Sequence, residues 1–454
     1  MNELLSRLFE RRPRIAVFGD AMIDEYYEVG ADRVSPEFPI PVLLSRDGFP
    51  SKVALGGAGN VCAQFRNFNF DTNLFALTNE RIKHFSDRIG MSGCIFSKGV
   101  PVKRRFYSNG FPLCRLDVEG DKYKLEDRPE ELSKLSEKIF SNMIDSGPFD
   151  VVVFSDYDKG MFDEVEDGFI ERLSGSPITI VDPKVGPARR WRGCTIIKPN
   201  ANEAFAMSGM SDWSRQCEYF FKETGCQAVI ITNGGESVVG NVMGVPFEYE
   251  PPRPKLPRSV VGAGDCFVAF LAMCMAHSID IRIAVEIAFE ACSIYVDRMY
   301  NRPVYPHEMV RDKAIDPRML VDRDFNLVFT NGCFDLLHPG HIELLKFAKS
   351  KGDKLLVAMN TDESVLRQGK SHGLVNCLAH RKSMISALEC VDFVVEFDED
   401  TPLEMIKKIR PDVLVKGSDH PNPVGSDLVG DVFNFDLIPG LSTTSLIEKI
   451  RSAD

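Results

Sequence analysis

The sequence predicts an α/β protein made of two doubly wound units in succession, the second smaller than the first. Short apolar runs typical of buried parallel strands alternate with helical segments from Arg14–Gly19 onward, and this alternation predicts a parallel sheet with helices on both faces. A charged, proline-broken stretch at 312–324 predicts an interdomain linker, and a fresh strand–loop–helix pattern begins at Asn326. We therefore predict domains at 1–311 and 325–454.

Length and charge limit the classes of protein to consider. The chain has 454 residues, too many for one ordinary core, and its net charge of −12 argues against nucleic acid as the main partner. It has no apolar run near the roughly 20 residues of a membrane helix and no signal-peptide pattern, so we expect a cytoplasmic protein that does not enter a membrane. Twelve cysteines without a C-x-x-C pair predict neither a zinc site nor a disulfide framework.

The first strand, Arg14–Gly19, delivers acidic residues to its C-terminal end, where open α/β sheets bind ligands. Asp24 lies among bulky residues and is a candidate acceptor for a ligand hydroxyl. In the later run G-G-A-G-N, Gly56 and Gly57 would let a sugar-sized ligand lie against bare backbone, with Asn60 as the polar reader. A glycine-rich turn without a ligand is the alternative.

Two segments predict a small β lid over this edge. The prolines of Val34–Val42 exclude a central strand and favour an edge or lid segment. The Asn-Gly pair at 109–110 lies between alternating residues, which is a strong hairpin signal. The hairpin would point three cations one way, and in an acidic protein such a concentration favours a bound substrate anion over a solvated face. These cations are Lys103, Arg105 and Arg115.

Polar residues directly follow several of the predicted strands. They are Asp156 and Lys159, Asp182 and Lys184, and Asn200 and Glu203. In a doubly wound sheet these positions all reach one crevice. The run V-V-G-A-G-D-C at 260–266 opens a helix, so its glycines and free N–H groups suit a phosphate. Asp265 could there take a proton from a hydroxyl that attacks the phosphate.

Together, G-G-A-G-N, D-P-K, N-x-x-E and G-A-G-D resemble the ribokinase-type (PfkB) sugar kinases, from about Arg14 to about Pro306. V-S-P-E-x-P-x-P-V and S-D-Y-x-K-G resemble their heptose 7-phosphate kinase branch. The resemblance implies a ribokinase-like sheet with a β lid, ATP as donor, Asp265 as general base and a homodimer through the lid. It implies an anion hole at Gly262, Ala263 and Gly264, and Mg²⁺ with its waters organised by Asn200 and Glu203. The implied sugar-phosphate contacts are Asp24, Gly56, Gly57, Asn60, Lys103, Arg105, Arg115, Asp156 and Lys159.

Two positions depart from the family pattern. Ser259 and Val261 stand where D-x-T usually precedes G-A-G-D, and bulky Tyr300-Asn301-Arg302 stands where relatives carry a glycine loop. Both departures fall near the nucleotide and any monovalent-cation site. They concern cation dependence and nucleotide preference, and they leave the phosphoryl-transfer centre intact.

The second unit opens with the loop T-N-G-C-F-D-L-L-H-P-G-H between a strand and a helix. His338 and His341, on either side of Gly340, would lie at the helix N-terminus, where imidazoles and free N–H groups can stabilise charge developing on an α-phosphate. The two histidines could instead be a metal pair, but no third ligand of suitable spacing is evident, so no metal site is predicted.

F-D-x-L-H-x-G-H resembles the cytidylyltransferase-type nucleotidyltransferases, and supporting strings extend the resemblance from about Leu327 to Ile450. It implies a Rossmann-like nucleotidyltransferase domain in which His338 and His341 contact the triphosphate. The usual K-G-x-x-R-P loop is altered at 369–374, where Lys370 could still reach the phosphates. Further residues implied near the nucleotide are Asn331, Gly332, Phe334, Asp335, Gly340, Arg381, Asp419, Ser442, Thr443 and Thr444.

The two halves in this order resemble the bifunctional heptose 7-phosphate kinase/heptose 1-phosphate adenylyltransferases. The resemblance implies phosphorylation of the anomeric hydroxyl, loss of the 7-phosphate to a separate phosphatase, and adenylyl transfer giving ADP-heptose for lipopolysaccharide or a related glycan. The same architecture could instead serve another sugar or polyol phosphate, or use CTP. A non-catalytic kinase-like domain is a second alternative, and Asp265, Asn200 and Glu203 speak against it. A tRNA synthetase-like nucleic-acid binder is disfavoured by the charge of −12.

Overall fold

A computed structural model describes residues 1–45, 47–78, 80–96, 101–118, 129–163, 165–251, 257–369, 374–419, 422–436, 438, 440 and 446–447. The chain divides into two compact units. Leu8–Val304 forms the larger unit, and Met1–Arg7 together with Tyr305–Asp454 forms the smaller one. The division thus falls ahead of the predicted linker at 312–324, and the first helix belongs to the smaller unit.

The larger unit contains strands β1 to β16 and helices α2 to α7. The strands are β1 (Arg14–Gly19), β2 (Ala21–Glu28), β3 (Gly30–Val34), β4 (Pro41–Leu44), β5 (Lys52–Gly57), β6 (Asp71–Phe75), β7 (Leu77–Thr78), β8 (Ile95–Phe96), β9 (Val102–Ser108), β10 (Phe111–Val118), β11 (Val151–Ser155), β12 (Ile178–Asp182), β13 (Ile196–Ile197), β14 (Ala228–Asn233), β15 (Ser237–Val242) and β16 (Val245–Tyr249). The helices are α2 (Ala58–Gln64), α3 (Pro129–Asp145), α4 (Ala201–Ser208), α5 (Trp213–Thr224), α6 (Ala263–Ala276) and α7 (Ile281–Tyr295). Short 3₁₀ helices lie at Phe65–Asn67, Glu80–Arg88, Phe169–Arg172 and Ala188–Trp191.

Eight strands of this unit form one sheet in the order β16-β15-β14-β13-β12-β11-β1-β6. Six neighbouring strands of this sheet are parallel to one another, namely β6, β1, β11, β12, β13 and β14. At the other edge, β15 pairs antiparallel with β14, and β16 pairs antiparallel with β15. The apolar runs predicted as buried strands are buried, because α helices cover the sheet and leave Val17, Val153 and Ile197 without exposed surface. This arrangement agrees with the predicted doubly wound sheet.

A second, four-stranded sheet in the order β10-β9-β2-β5 forms the predicted lid. The Asn-Gly pair makes the predicted hairpin between β9 and β10, with positive φ values of 49° at Asn109 and 82° at Gly110. Register places Arg115 opposite Arg105, and Lys103 lies two residues before Arg105 on the same face. The predicted lid segment at Val34–Val42 contributes to an outlying hairpin of β3 and β4.

The smaller unit contains α1 (Asn2–Arg7) and a five-stranded sheet in the order β19-β18-β17-β20-β21. Its strands are β17 (Leu327–Gly332), β18 (Lys354–Asn360), β19 (Phe393–Phe397), β20 (Val413–Gly417) and β21 (Asp431–Phe435), all parallel. Its other helices are α8 (Pro339–Lys349), α9 (Asp362–Arg367), α10 (Leu378–Ser386) and α11 (Leu403–Ile409), with 3₁₀ turns at Pro306–Met309, Pro317–Leu320 and Ser426–Leu428. This sheet agrees with the second α/β domain predicted from the sequence.

The stretch predicted as a linker is built into the smaller unit. Ala314 forms a parallel bridge with Val394, and the backbone N–H of Ile315 donates to the carbonyl of Val394 at 3.1 Å. Farther along, Met319 and Leu320 have no exposed surface. The charged residues and prolines of 312–324 made the segment resemble a linker in the sequence. Its buried apolar side chains show that it packs as part of the smaller unit.

Two further features of the chain concern its surface. No helix within the described ranges is long and apolar enough to cross a membrane. All twelve cysteines are free thiols, and those with exposed side chains are Cys114 on β10 and Cys377 just before α10.

Candidate active sites

Asp265 lies in the first turn of α6, which begins at Gly262. Gly262 has φ of 77°, and a Cβ there would lie 2.5 Å from both the Asn60 amide and the Tyr295 hydroxyl, so only glycine fits. The Asp265 carboxylate is 1% exposed and accepts hydrogen bonds from the Tyr157 hydroxyl at 2.6 Å and from Asn60 Nδ2 at 2.8 Å. Burial raises the pKa of Asp265 to about 7, while those two hydrogen bonds oppose the rise.

A cavity of about 190 Å³ opens beside Asp265 toward the lid. It brings together the predicted Asp24, Gly57, Lys103, Arg105 and Arg115. Burial lowers the pKa of Lys103, whereas the half-exposed Arg115 forms an ion pair with Asp117, with 2.8 Å between Nε and Oδ1. The three predicted cations therefore line the same cavity, and this positive charge suits a small anionic ligand.

Asp24 on β2 is more occupied than the sequence suggests. Its Oδ1 accepts from Arg105 Nη2 at 2.9 Å and its Oδ2 from Asn301 Nδ2 at 2.8 Å. Burial raises the pKa of Asp24, and the buried Arg105 beside it opposes the rise. Gly56 is required here, because a Cβ would lie 2.7 Å from Asp24 Oδ2.

A larger cavity of about 390 Å³ lies on the other side of Gly262, at the C-terminal ends of β11 to β14. Its wall includes Gly262, Ala263 and Gly264, together with two buried or half-buried ion pairs. In one pair Lys198 contacts Asp182 at 2.9 Å, and in the other Lys184 contacts Glu203 at 2.7 Å. A long cavity with phosphate-binding backbone at one end suits a nucleotide.

Asn200 and Glu203 line this larger cavity, but they also hold each other. The Asn200 side chain accepts from the Glu203 N–H at 2.9 Å, and the Glu203 side chain accepts from the Asn200 N–H at 3.0 Å. This reciprocal capping box begins α4. The N-x-x-E string therefore has a structural cause as well as a position on the cavity wall.

Four predicted sugar contacts, Gly56, Asn60, Asp156 and Lys159, do not line the smaller cavity. Asp156 lines the larger cavity, and its carboxylate accepts the N–H groups of Asp158 at 2.9 Å and Lys184 at 3.4 Å. The N–H of Lys159 donates to the buried carboxylate of Asp20 at 3.1 Å, so this residue helps hold the turn after β11. Both residues follow the strand as predicted, but neither is part of the wall of the smaller cavity.

Sequence reasoning assigned no role to Tyr157, Tyr295 and Asn301. Tyr157 lies two residues after the end of β11, between the predicted Asp156 and Lys159. Tyr295 and Asn301 come from the end of α7 and the segment after it, where the sequence indicated a departure from a glycine loop. The side chain of Asn301 replaces that loop with a hydrogen bond to Asp24.

In the smaller unit, the loop after β17 brings the two predicted histidines together. His338 is the N-terminal cap of α8, Gly340 lies in its first turn, and the rings of His338 and His341 stack with centroids 3.8 Å apart. Phe334, with φ of 50°, packs edge-on to His341 at 5.3 Å. Burial lowers the pKa of His338, which favours its neutral form.

Asp335 and Arg381, which the resemblance implies to lie near the nucleotide, hydrogen-bond to neighbouring parts of the protein in this structure. The Asp335 carboxylate accepts the N–H groups of Val375 at 3.0 Å and Asn376 at 2.7 Å, so it anchors the chain ahead of α10. Arg381 has no exposed surface, and its guanidinium donates hydrogen bonds to four neighbouring oxygens. Those oxygens are the carbonyls of Cys333, Asn360 and Asn376 and the carboxylate of Asp362.

Lys416 is a residue that the prediction missed. It lies on β20 beside Asn331, and its Nζ donates to the Asn331 carbonyl at 2.9 Å. Burial lowers the pKa of Lys416 to about 8, and Asp419, which was predicted near the nucleotide, opposes that shift. Lys416 belongs to the string V-K-G-S-D at 415–419, three residues before the predicted Asp419.

The remaining predictions in this unit concern a glycine and residues that the structure does not describe. Gly332 ends β17, where a Cβ would meet the Phe334 ring at 3.0 Å. Lys370 and 442–444 lie outside the described residues. Over the parts of the chain that the structure describes, no group of three or more His, Cys, Asp or Glu side chains could hold a metal ion, which leaves the histidine pair without a third ligand there.

Comparison with known proteins matches both units. Residues 178–307 match the pfkB family of carbohydrate kinases, and residues 329–437 match the cytidylyltransferase-like family. The chain is 33% identical to a bifunctional protein HldE from Nitratiruptor sp., over 97% of this chain and 100% of that protein. It is 34% identical to the bifunctional protein HldE of Methylococcus capsulatus, over 97% of this chain and 98% of that protein. A solved ribokinase from Thermotoga maritima is 17% identical, with a TM-score of 0.49 over 65% of this chain and 98% of that one.

Proposed function

The chain belongs to the family of bifunctional HldE proteins, and from that premise we propose that it makes ADP-heptose by two separate reactions. Its larger unit is a carbohydrate kinase and its smaller unit a nucleotidyltransferase. The kinase would phosphorylate the anomeric hydroxyl of heptose 7-phosphate with ATP. The second unit would join heptose 1-phosphate to AMP and release pyrophosphate.

The position of Asp265 is the observation that carries the kinase assignment. Its buried carboxylate faces the smaller, cationic cavity at the point where Gly262 also borders the larger one. A sugar phosphate in the smaller cavity would place its anionic end near Lys103 and Arg115. Its hydroxyl would then lie near Asp265, and a nucleotide in the larger cavity would place its terminal phosphate across Gly262.

The chemistry follows from this arrangement. Asp265 would accept the proton of the sugar hydroxyl as the new O–P bond forms and the bond to ADP breaks. The N–H groups at the start of α6 would stabilise negative charge on the transferring group. Lys184 would add positive charge from the wall of the larger cavity, where it lies 2.7 Å from Glu203.

The larger cavity fits a divalent metal that arrives with nucleotide phosphates. Mg²⁺ usually takes one or two carboxylates and keeps several waters. Asp182 and Glu203 supply carboxylates on the wall, each already paired with a lysine, so Mg²⁺ would be held by phosphates and by water-mediated contacts to these residues. When bound, Mg²⁺ would neutralise phosphate charge.

In the smaller unit, the paired imidazoles carry the assignment. His338 and His341 stack at the N-terminus of α8, where backbone N–H groups point outward and the helix dipole favours an anion. There they would stabilise the α-phosphate as the sugar phosphate attacks it. Lys416 would add charge from the neighbouring strand. Another sugar phosphate, or CTP, is the alternative for this unit, because the sequence at 369–374 departs from the K-G-x-x-R-P pattern of the family.

We propose a homodimer formed through the lid, acting in the cytoplasm where ATP is supplied. The lid and its outlying hairpin expose large apolar side chains, and such a concentration often marks an interface. They include Phe38, Ile40, Phe111, Leu113 and Leu116. Light scattering of the whole chain tests the dimer, and a monomer at micromolar concentration would contradict it.

The substrate is tested by incubating the protein with ATP and heptose 7-phosphate, with and without an added phosphatase, and identifying products by mass. We expect a heptose bisphosphate in the first case and ADP-heptose in the second. Replacing ATP by CTP distinguishes the nucleotide. Product from other hexose or polyol phosphates but none from the heptose would reassign the sugar.

A further inference from the structure

Tyr157 lies at the boundary between the two cavities of the kinase unit. It lines both of them. Its ring lies between two cations, with Lys103 Nζ of the smaller cavity 5.7 Å and Lys184 Nζ of the larger cavity 5.9 Å from its centroid. Its backbone N–H donates to Asp20 at 2.8 Å, which fixes the turn that carries it. The side chain therefore lies between the proposed nucleotide cavity and the proposed sugar cavity, where the phosphoryl group would be transferred.

The hydroxyl of Tyr157 contacts the proposed base directly. It donates to Asp265 Oδ1 at 2.6 Å, while Asn60 Nδ2 donates to Oδ2 at 2.8 Å, so each carboxylate oxygen has one donor. Each oxygen keeps a further lone pair for a proton. Burial raises the pKa of Tyr157 itself well above its ordinary value, so the hydroxyl stays a donor at neutral pH.

The other groups around Asp265 make this hydrogen bond matter. Burial, Asp182 and Asp24 all favour the protonated form of Asp265, and the Tyr157 hydrogen bond is the largest influence in the opposite direction, ahead of Asn60. The two neighbouring carboxylates are themselves paired, Asp182 with Lys198 and Asp24 with Arg105. Asn60 Nδ2 also donates a hydrogen bond to the Tyr295 hydroxyl at 3.0 Å.

We propose that Tyr157 is a positioning residue of the kinase reaction, whose hydroxyl holds Asp265 ionised and aimed at the boundary between the cavities. This inference rests on the proposed kinase function. In the reaction the sugar hydroxyl gives its proton to Asp265, its oxygen bonds to the phosphorus, and the bond to ADP breaks, while Tyr157 keeps its proton throughout. Its aromatic ring also keeps the cations of the two cavities apart before the substrates arrive.

The test is Tyr157→Phe, which removes the hydroxyl and keeps the ring. Loss of a hydrogen bond to a charged group should raise the pKa of Asp265 from about 7 to roughly 8–9, so the ionised fraction and with it kcat at pH 7 should fall about 5- to 50-fold. The acidic limb of the kcat profile should move to higher pH by the same amount, and activity should recover there. KM for both substrates should change little. Tyr219→Phe, which removes a tyrosine hydroxyl outside the site, should match the wild type.

Thermal melts of the same preparations serve as the folding control for the larger unit, and adenylyl transfer checks that the smaller unit is unaffected. An unchanged kcat in Tyr157→Phe, or a loss of kcat with an unmoved acidic limb, would overturn the inference. If the wild type itself phosphorylates no sugar phosphate, the proposed kinase function falls and the inference falls with it. An active wild type beside an unaffected variant removes the inference alone.

Discussion

Lys103 and Arg105 face the same cavity from one strand, yet their surroundings give them different work. Arg105 is 7% exposed and holds the buried carboxylate of Asp24. Lys103 also lines the cavity. Its ammonium lies beside the Tyr157 ring, and within the described part of the chain it forms no salt bridge with a carboxylate. The first maintains the site and the second is placed to meet a ligand.

Substitution should separate these two roles. Lys103→Met keeps the aliphatic stem and removes the charge, so KM for the sugar phosphate should rise by roughly 10- to 100-fold, the value of a charge-assisted contact. Arg105→Ala should instead destabilise the larger unit by about 3–5 kcal/mol, because Asp24 would be left buried without its cation. Steady-state kinetics and thermal melts measure the two effects. Arg104→Met, on the opposite face of β9, is the matched control, and an equal rise of KM there would contradict the assignment of Lys103.

Lys416 gives the smaller unit a distinct pH dependence. Burial lowers its pKa to about 8, so the ammonium loses its charge as pH rises through that value. If it meets a phosphate, adenylyl transfer should decline between about pH 7 and pH 9, more steeply than the kinase activity of the same protein. Lys416→Arg keeps its charge over that range and should move the decline to higher pH. A decline that persists unchanged in this variant would assign it to another group.

Among the elements, the segment before β17 changes how the smaller unit is bounded. Ala314 and Ile315 pair with Val394 beside β19, and Met319 and Leu320 are buried. Helix α1 adds Leu5, which has no exposed surface, to the same unit. These pieces bury apolar side chains that a boundary at 325 would leave out.

Two fragments test this boundary. A fragment of Tyr305–Asp454 should be more stable to urea than one from Val321 to Asp454 by roughly 4–8 kcal/mol, since it buries four further apolar side chains, Met309, Ile315, Met319 and Leu320. Both fragments should be assayed for pyrophosphate release from ATP and a sugar 1-phosphate. Equal unfolding midpoints would show that 305–320 contributes nothing to the core of this unit.

Some parts of this fold could be predicted from the sequence, and others could not. Strands and the Asn-Gly hairpin follow from local patterns, and the box of Asn200 and Glu203 spans only three residues. Tyr157 and Asp265 are 108 residues apart, so their contact depends on packing that no local pattern reveals. The burial of Arg381 is not visible in a local pattern either, because its guanidinium donates to the carbonyls of Cys333 and Asn360, which are 48 and 21 residues away.

At the scale of the whole molecule, the two proposed reactions are separated by a step done elsewhere. The proposed kinase product would carry two phosphates, and a phosphatase would have to remove the 7-phosphate before adenylyl transfer. The intermediate therefore has to leave the kinase unit and return as a different compound. Covalent linkage of the two units is then not required for the sequence of reactions.

Mixing two variants tests this independence. Asp265→Asn should cost about two to four orders of magnitude in kinase activity, because it removes the base and keeps its shape. His341→Ala should abolish adenylyl transfer, because a donor at the α-phosphate is lost. Each variant should keep the activity of its other unit. An equimolar mixture with phosphatase should make ADP-heptose at a rate close to that of the wild type, as judged by mass spectrometry of the product. A mixture that stays inactive while each variant retains its other activity would mean that the intermediate is passed within one chain.

The cysteine distribution has a practical consequence for observing the protein at work. Cys114 and Cys377 are the exposed thiols, one in the lid of the larger unit and one in the smaller unit, while the other ten are buried or half-buried. Maleimide fluorophores would thus attach first at one place in each unit of the natural sequence. Energy transfer between them would report, in single molecules and without engineered cysteines, whether the spacing of the units changes as substrates bind.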